Sequence, residues 1–139
     1  MEARLPGAER ISIERPEGKS LIVAMPALDE EVTVEDVIRG VPRKIHGIRS
    51  IEVVVVDDGS SDRTASKAEQ AGATIIRHAS PRGVGAAFHS ALSYGIDRGA
   101  DLIATIDADG QFDPAEQYSR AGTPHKHLCS AVFGEMTYP

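Results

Sequence analysis

The segment "TIDADGQFDP", residues 105–114, closes an apolar run with Asp107, Asp109 and Asp113 inside seven residues and Gln111 among them. Carboxylates crowded at one strand end repel one another unless a cation or a polar ligand offsets their charge. A D-x-D turn can set two carboxylates on one side of its loop, one on a metal and one on metal-bound water or a ribose hydroxyl. Mg2+ or Mn2+ suits that arrangement, because both prefer oxygen and bind through one or two carboxylates plus substrate phosphates. Two further acidic groups, "MPALDEE" (25–31) and "DDGSSD" (57–62), also follow apolar runs. Each group alone has a plain explanation. Asp and Gly are common in any turn after a strand, Asp58 fits a helix cap, and Pro26 fits a strand end. Gly83 and Gly85 of "RGVG" fit a tight turn, since the third glycine of a dinucleotide fingerprint is absent. The conjunction, in chain order, is what points to a site.

The intervening residues dictate how these groups are held. "SLIVAMP" (20–26) reads as a strand buried on both faces and closed by Pro26. Val34, Val37, Ile38 and Val41 form one helical stripe that Pro42 terminates. "IEVVVVDDGSSD" (51–62) predicts a β-branched strand that stops at Asp57-Asp58-Gly59. Ser60 or Ser61 is then predicted to cap the helix in "DRTASKAEQA", with Gly72 as its C-terminal stop. "ATIIRH" (73–78) is a third strand, "PRGVGAAFHSALSYGIDRGA" (81–100) a glycine turn and helix, and "DLIATIDAD" (101–109) a fourth strand. This alternation predicts an α/β fold with a Rossmann-like parallel sheet and right-handed crossovers. Open parallel sheets bind ligands at the carboxyl ends of their strands. The three acidic loops and "RGVG" therefore meet on one rim, beside helix N-termini that favour anions. Residues 1–19 read as a loose leader, 20–117 as the α/β domain and 118–139 as an irregular tail. In that tail His125, His127 and Cys129 alternate, but zinc wants a fourth ligand and a supporting shell.

At 139 residues the chain has room for one domain. Its formal charge of −6 argues against a nucleic-acid surface, which needs clustered Lys and Arg. The densest basic stretch, Arg39 to Arg49, is interrupted by Gly40 and Pro42 and reads as a solvated helix end. A single cysteine, Cys129, fits a reducing cytoplasm. No apolar run reaches the roughly 20 residues of a membrane span, and "MEARLPGAER" lacks the apolar centre of a signal peptide.

Together "MPALDEE", "VVVVDDGSSDRT", "RGVGAAFHSAL" and "TIDADGQFDP" resemble the family 2 glycosyltransferases of GT-A fold. The polyprenyl-phosphate (dolichyl-phosphate) mannosyl- and glucosyltransferase branch is the most similar, over about residues 20–117. The resemblance implies a nucleotide-sugar-binding half with a metal-dependent donor site. Pro26, Leu28 and Glu30 fall where the family lines its nucleotide pocket, with Leu28 in place of the usual aromatic and Asp29 in place of the usual Asn. Val56 and Asp58 match positions at the base and ribose, where a carboxylate accepting a ring N–H favours uracil or guanine over adenine. Asp107, Ala108 and Asp109 match the D-x-D segment, with Asp109 and Gln111 as metal ligands and Asp107 as a direct or water-mediated third.

The implied reaction displaces a nucleoside diphosphate from the anomeric carbon, with inversion, by an acceptor such as a polyprenyl phosphate or glycan. Such enzymes continue into an acceptor half, and no family residue maps onto 118–139. That predicts a chain that binds a UDP- or GDP-sugar weakly, transfers poorly, self-associates through exposed apolar surface and docks peripherally at the inner membrane face through its acceptor. The general base stays unassigned. Two rivals remain open: a phospho-accepting receiver domain, whose acidic pair should follow the first strand, and an inactive nucleotide-binding fragment. A sugar nucleotidyltransferase wants a basic glycine-rich loop where "MPALDEE" stands, and a dehydrogenase wants G-x-G-x-x-G there.

Overall fold

The structure, a computed structural model, describes residues 17–110. Gln111 and Asp113, most of the predicted leader, and the tail with His125, His127 and Cys129 lie outside the described residues. Within them the elements run β1 (Lys19–Ala27), α1 (Val34–Gly40), β2 (Ile48–Asp57), α2 (Thr64–Gln70), β3 (Thr74–Arg77), α3 (Val84–Asp97) and β4 (Leu102–Thr105). The four strands form one parallel sheet in the order β3-β2-β1-β4.

The valine run of β2 accounts for its central place. Val54, Val55 and Val56 are fully buried, and because successive side chains point to opposite faces they serve two cores. Val55 joins Leu21, Val23 and Met25 of β1 against Val34, Val37 and Ile38 of α1 and Ala68 of α2. Val54 and Val56 join Ile22, Ala24 and Ile103 against Ala87 and Ala91 of α3. The sheet thus carries α1 and α2 on one face and α3 on the other. Each fully buried Val or Ile contributes roughly 1.5–3 kcal/mol relative to exposure, so the strands that end at the rim are its most firmly held parts.

The topology also decides between rivals. β1 lies between β2 and β4, as in the nucleotide-binding order 3-2-1-4; a receiver-type sheet, ordered 2-1-3-4-5, would put β3 beside β1. The receiver reading is excluded.

Element ends differ from expectation for identifiable reasons. Pro26 does not close β1: it pairs with Val56, and the strand runs on to Ala27. The β1–β4 ladder stops at Ala24–Thr105, so Pro26 lies where that side demands no N–H. β4 likewise ends at Thr105, which leaves residues 106–110 as loop. Neither Ser60 nor Ser61 caps α2. The N-cap is Arg63, without a side-chain cap bond; Asp62, one position earlier, accepts the Thr64 N–H on Oδ1 at 2.9 Å, while both serines are engaged elsewhere. Gly72 does stop α2, at φ +97° with its N–H on the Glu69 carbonyl at 3.0 Å. No helix among the described residues is long and apolar enough to cross a membrane.

Candidate functional site

From β1 the chain steps outward through β2 and β3, then crosses back through α3 to β4 on the other side of β1. The strand order therefore reverses between β1 and β4, and a crevice opens at their carboxyl ends. A cavity of about 270 Å³ lies there, lined by Pro26, Ala27, Leu28, Glu30, Asp58, Gly83, Val84, Ala87, Asp107, Ala108 and Asp109. The three loops and the start of α3 converge as the sequence predicts, and Asp58 shares one cavity with Asp107 and Asp109. Between these carboxylates its lining is apolar, with Leu28 43% and Val84 76% exposed. Among the described residues predicted to line it, Val56 alone does not: its side chain is fully buried in the α3-facing core.

The acidic loops are built by their own hydrogen bonds. Asp29, at φ +52°, a region that Asp tolerates better than most residues, donates its N–H to Ser60 Oγ at 2.9 Å. Its carboxylate in return accepts the Ser61 N–H at 2.8 Å. Glu30 N–H donates to Thr64 Oγ1 at 2.9 Å, and Glu31 N–H to Asp62 Oδ2 at 3.2 Å. Glu31 Oε2 accepts from the backbone N–H and the Nε of Arg63, both at 3.3 Å. The loops after β1 and β2 are thus stitched into one unit, and Asp29, Glu31 and Asp62 are used within it. Burial pushes the Asp62 carboxyl up, but the Thr64 hydroxyl and N–H and the Glu31 N–H outweigh it and hold the group below its ordinary value. On the other side, the Thr33 hydroxyl donates to the Ala108 carbonyl at 2.6 Å and ties the D-x-D turn to the start of α1.

Asp57 and Asp58, adjacent in sequence, have separate roles. Asp57 is fully buried; its Oδ1 accepts the Ser60 N–H at 3.0 Å and its Oδ2 faces Arg77 Nε at 3.5 Å. Asp58, 6% exposed, accepts from His78 Nδ1 at 2.7 Å and from the Arg82 N–H at 2.8 Å on Oδ1, and from the Gly83 N–H at 2.8 Å on Oδ2. The His78 hydrogen bond, with those of Arg82 and Gly83, overrides burial and holds the Asp58 carboxyl below its ordinary range. Asp58 is therefore an acceptor only, and Oδ2 keeps one lone pair unspent.

The cavity combines that lone pair, on the loop after β2, with the exposed Asp107 and the half-buried Asp109 on the loop after β4, the strands on either side of β1. Among the described residues no three His, Cys, Asp or Glu side chains are grouped to hold a metal ion. Two carboxylates completed by ligand phosphates remain compatible with an octahedral cation. His78 and Gly83 were not predicted as site residues. His78 reads as the last residue of a strand, and its partner lies 20 positions earlier, beyond any local pattern.

An open α/β sheet with an acid-lined crevice at its switch point defines a nucleotide-binding class. Sequence comparison is more specific: residues 22–133 match the profile of glycosyl transferase family 2, and the chain belongs to that family. It is 30% identical over 108 residues to the polyprenol monophosphomannose synthase of Mycolicibacterium smegmatis, covering 73% of this chain and 39% of that protein. It is 33% identical over 100 residues to the undecaprenyl-phosphate 4-deoxy-4-formamido-L-arabinose transferase of Pseudomonas paraeruginosa, covering 68% of this chain and 29% of that one. Glucosyl-3-phosphoglycerate synthase from Mycobacterium tuberculosis, solved with Mn2+, UDP and glucosyl-3-phosphoglycerate, superposes with a TM-score of 0.55 at 29% identity, over 66% of this chain and 34% of that one. The sheet is that of the GT-A neighbours. The chain spans about two fifths or less of the length of these relatives.

Proposed function

We propose that this chain forms the donor site of a metal-dependent, inverting glycosyltransferase that takes a sugar from a UDP- or GDP-sugar to an acceptor such as a polyprenyl phosphate or glycan. The observation that carries the reading is the shared cavity: Asp58, after β2, and Asp107 with Asp109, after β4, line it from strands on either side of β1, an arrangement that suits a nucleoside on one side joined to a diphosphate on the other. At the nucleoside end, the open lone pair of Asp58 Oδ2 takes a ring N–H, a group that uracil and guanine present and adenine lacks. Pro26, Leu28 and Val84 give the base an apolar wall, and Glu30 lies at its margin. Asp107 reaches the ribose or a metal-bound water, and Asp109 with Gln111 holds Mg2+ or Mn2+.

When bound, the cation supplies Lewis-acid stabilisation to the departing diphosphate. The chain's own contribution is positional: Asp58 would hold the nucleoside and Asp107 with Asp109 the cation, and the stitched loops fix those carboxylates so that little reorganisation is needed during transfer. The relative that acts on a polyprenol and the neighbour holding UDP and Mn2+ support this reading. A polyprenyl-phosphate acceptor would place the chain at the inner membrane face.

Incubating the 139-residue chain with radiolabelled UDP- and GDP-sugars, Mn2+ and polyprenyl phosphate tests the reading. Retention of one donor with little or no sugar on the lipid is expected. Efficient turnover would contradict the view that this chain lacks its acceptor half, and failure to retain either donor would contradict the donor-site assignment itself.

A further inference from the structure

His78 is outside the cavity lining, yet the cavity's wall depends on it. The residue is 7% exposed, at the end of β3, with its backbone N–H on the Asp57 carbonyl at 2.9 Å. Its ring joins three elements. Nδ1 meets Asp58 Oδ1 at 2.7 Å, and Nε2 meets Ser90 Oγ, in the second turn of α3, at 2.8 Å. Asp58 in turn holds the Arg82 and Gly83 N–H groups, each at 2.8 Å, immediately before α3. Gly83, Val84 and Ala87 then form one side of the cavity.

We infer that His78 is a positioning residue of the donor site: by orienting Asp58 and gripping Ser90, it sets the Arg82–Gly83 backbone and fixes the nucleoside end of the cavity without touching the ligand. The inference rests on the donor-site reading above. Without the imidazole, the Asp58 carboxylate has two backbone donors and no side chain to fix its rotation, so both the wall and the open lone pair lose their alignment. The diphosphate end, held through Thr33 and Ala108, is left as it was.

The 139-residue chain and its His78→Leu, His78→Asn and Ser90→Ala variants provide the test. Amide hydrogen exchange is read at Arg82 and Gly83, and affinity is read for UDP and GDP with Mn2+ and for pyrophosphate with Mn2+. Losing a hydrogen bond to a charged group is expected to weaken nucleoside diphosphate binding about tenfold in His78→Leu and to speed both amides comparably. Pyrophosphate binding should hold within about twofold. Asn at 78 offers Asp58 an N–H from nearly the position of Nδ1 and is expected to restore most of the affinity. Ser90→Ala, losing one neutral contact, should weaken nucleotide binding by about threefold.

Wild-type exchange and affinity in His78→Leu, or in Ser90→Ala where the leucine variant does not fold, overturns the role of His78 alone. Equal weakening of pyrophosphate and nucleotide also overturns it, because the effect is then global. A wild-type chain that binds neither UDP nor GDP overturns the donor-site reading and this inference together.

Discussion

The carboxylates of the three rim loops divide by partner. Asp29, Glu31, Asp58 and Asp62 accept from backbone N–H groups, hydroxyls or a histidine of the same chain; Asp57 does so through Oδ1 only, its buried Oδ2 making no hydrogen bond among the described residues, while Asp107 stands exposed at the cavity. Much of the negative charge that invites a metal reading is therefore hydrogen-bonded within the protein itself, and the proposed cation belongs at the D-x-D loop only. Asp58 and Asp62 both lie below the ordinary carboxyl value of 3.8. A carboxyl depressed in the folded state contributes stability that is present above its unfolded pKa and lost as pH falls through the folded one. Thermal melts should therefore change little from neutral pH down to about pH 5 and drop below about pH 4. In Asp58→Asn that acid drop should shrink, because one depressed carboxyl is gone. An unchanged acid limb in the variant would contradict the assignment. Sequence placed these acids at the rim correctly, since each follows an apolar strand. It could not sort them, because much of the sorting depends on donors 20 to 32 positions away, such as His78 for Asp58 and the Ser61 N–H for Asp29.

At the scale of elements, the loops leave little slack. Gly59 sits at φ +80° with the position of a Cβ only 2.7 Å from the backbone of Ser80 and Pro81. An added methyl meets backbone that cannot rotate away, so Gly59→Ala should cost about 3 kcal/mol or more and spoil the loop that carries Arg82 and Gly83. Gly72→Ala provides the control: φ is +97° but the space is open, and only the backbone penalty of about 1–2 kcal/mol applies. Denaturant melts giving equal losses for the two would contradict the close approach. The order of strands and helices was readable because valine-rich runs and the i, i+3, i+4 stripe of α1 differ plainly in period. Element ends were less readable, since they are set by partners. β4 stops where its pairing with β1 stops, at Thr105, and Ser60 and Ser61 were drawn from capping α2 to bridging Asp29.

For the whole molecule, the governing fact is that the chain covers 39% and 29% of two enzymes that it resembles in sequence. Among the described residues β4 is flanked by β1 on one side only, and an unpaired strand edge favours association. Sedimentation equilibrium over a concentration series should therefore give a weight-average mass that rises above the 14.8 kDa of one chain. A constant monomer mass would contradict the expectation. Nothing in composition alone distinguishes a donor-binding half from a complete small domain, which is why the shortfall became readable only from the family resemblance.

The central claim is that a nucleoside diphosphate bridges Asp58 and Asp109 through a divalent cation, and titration calorimetry measures it most directly. UDP and GDP are each titrated with Mn2+ and with EDTA into the wild-type chain, Asp58→Ala and Asp109→Ala. The account predicts that one nucleotide binds, with affinity that falls in EDTA. Asp109→Ala should remove that metal-dependent part, and Asp58→Ala should weaken binding with or without metal. Binding of neither nucleotide, or binding indifferent to EDTA and to both substitutions, would contradict it.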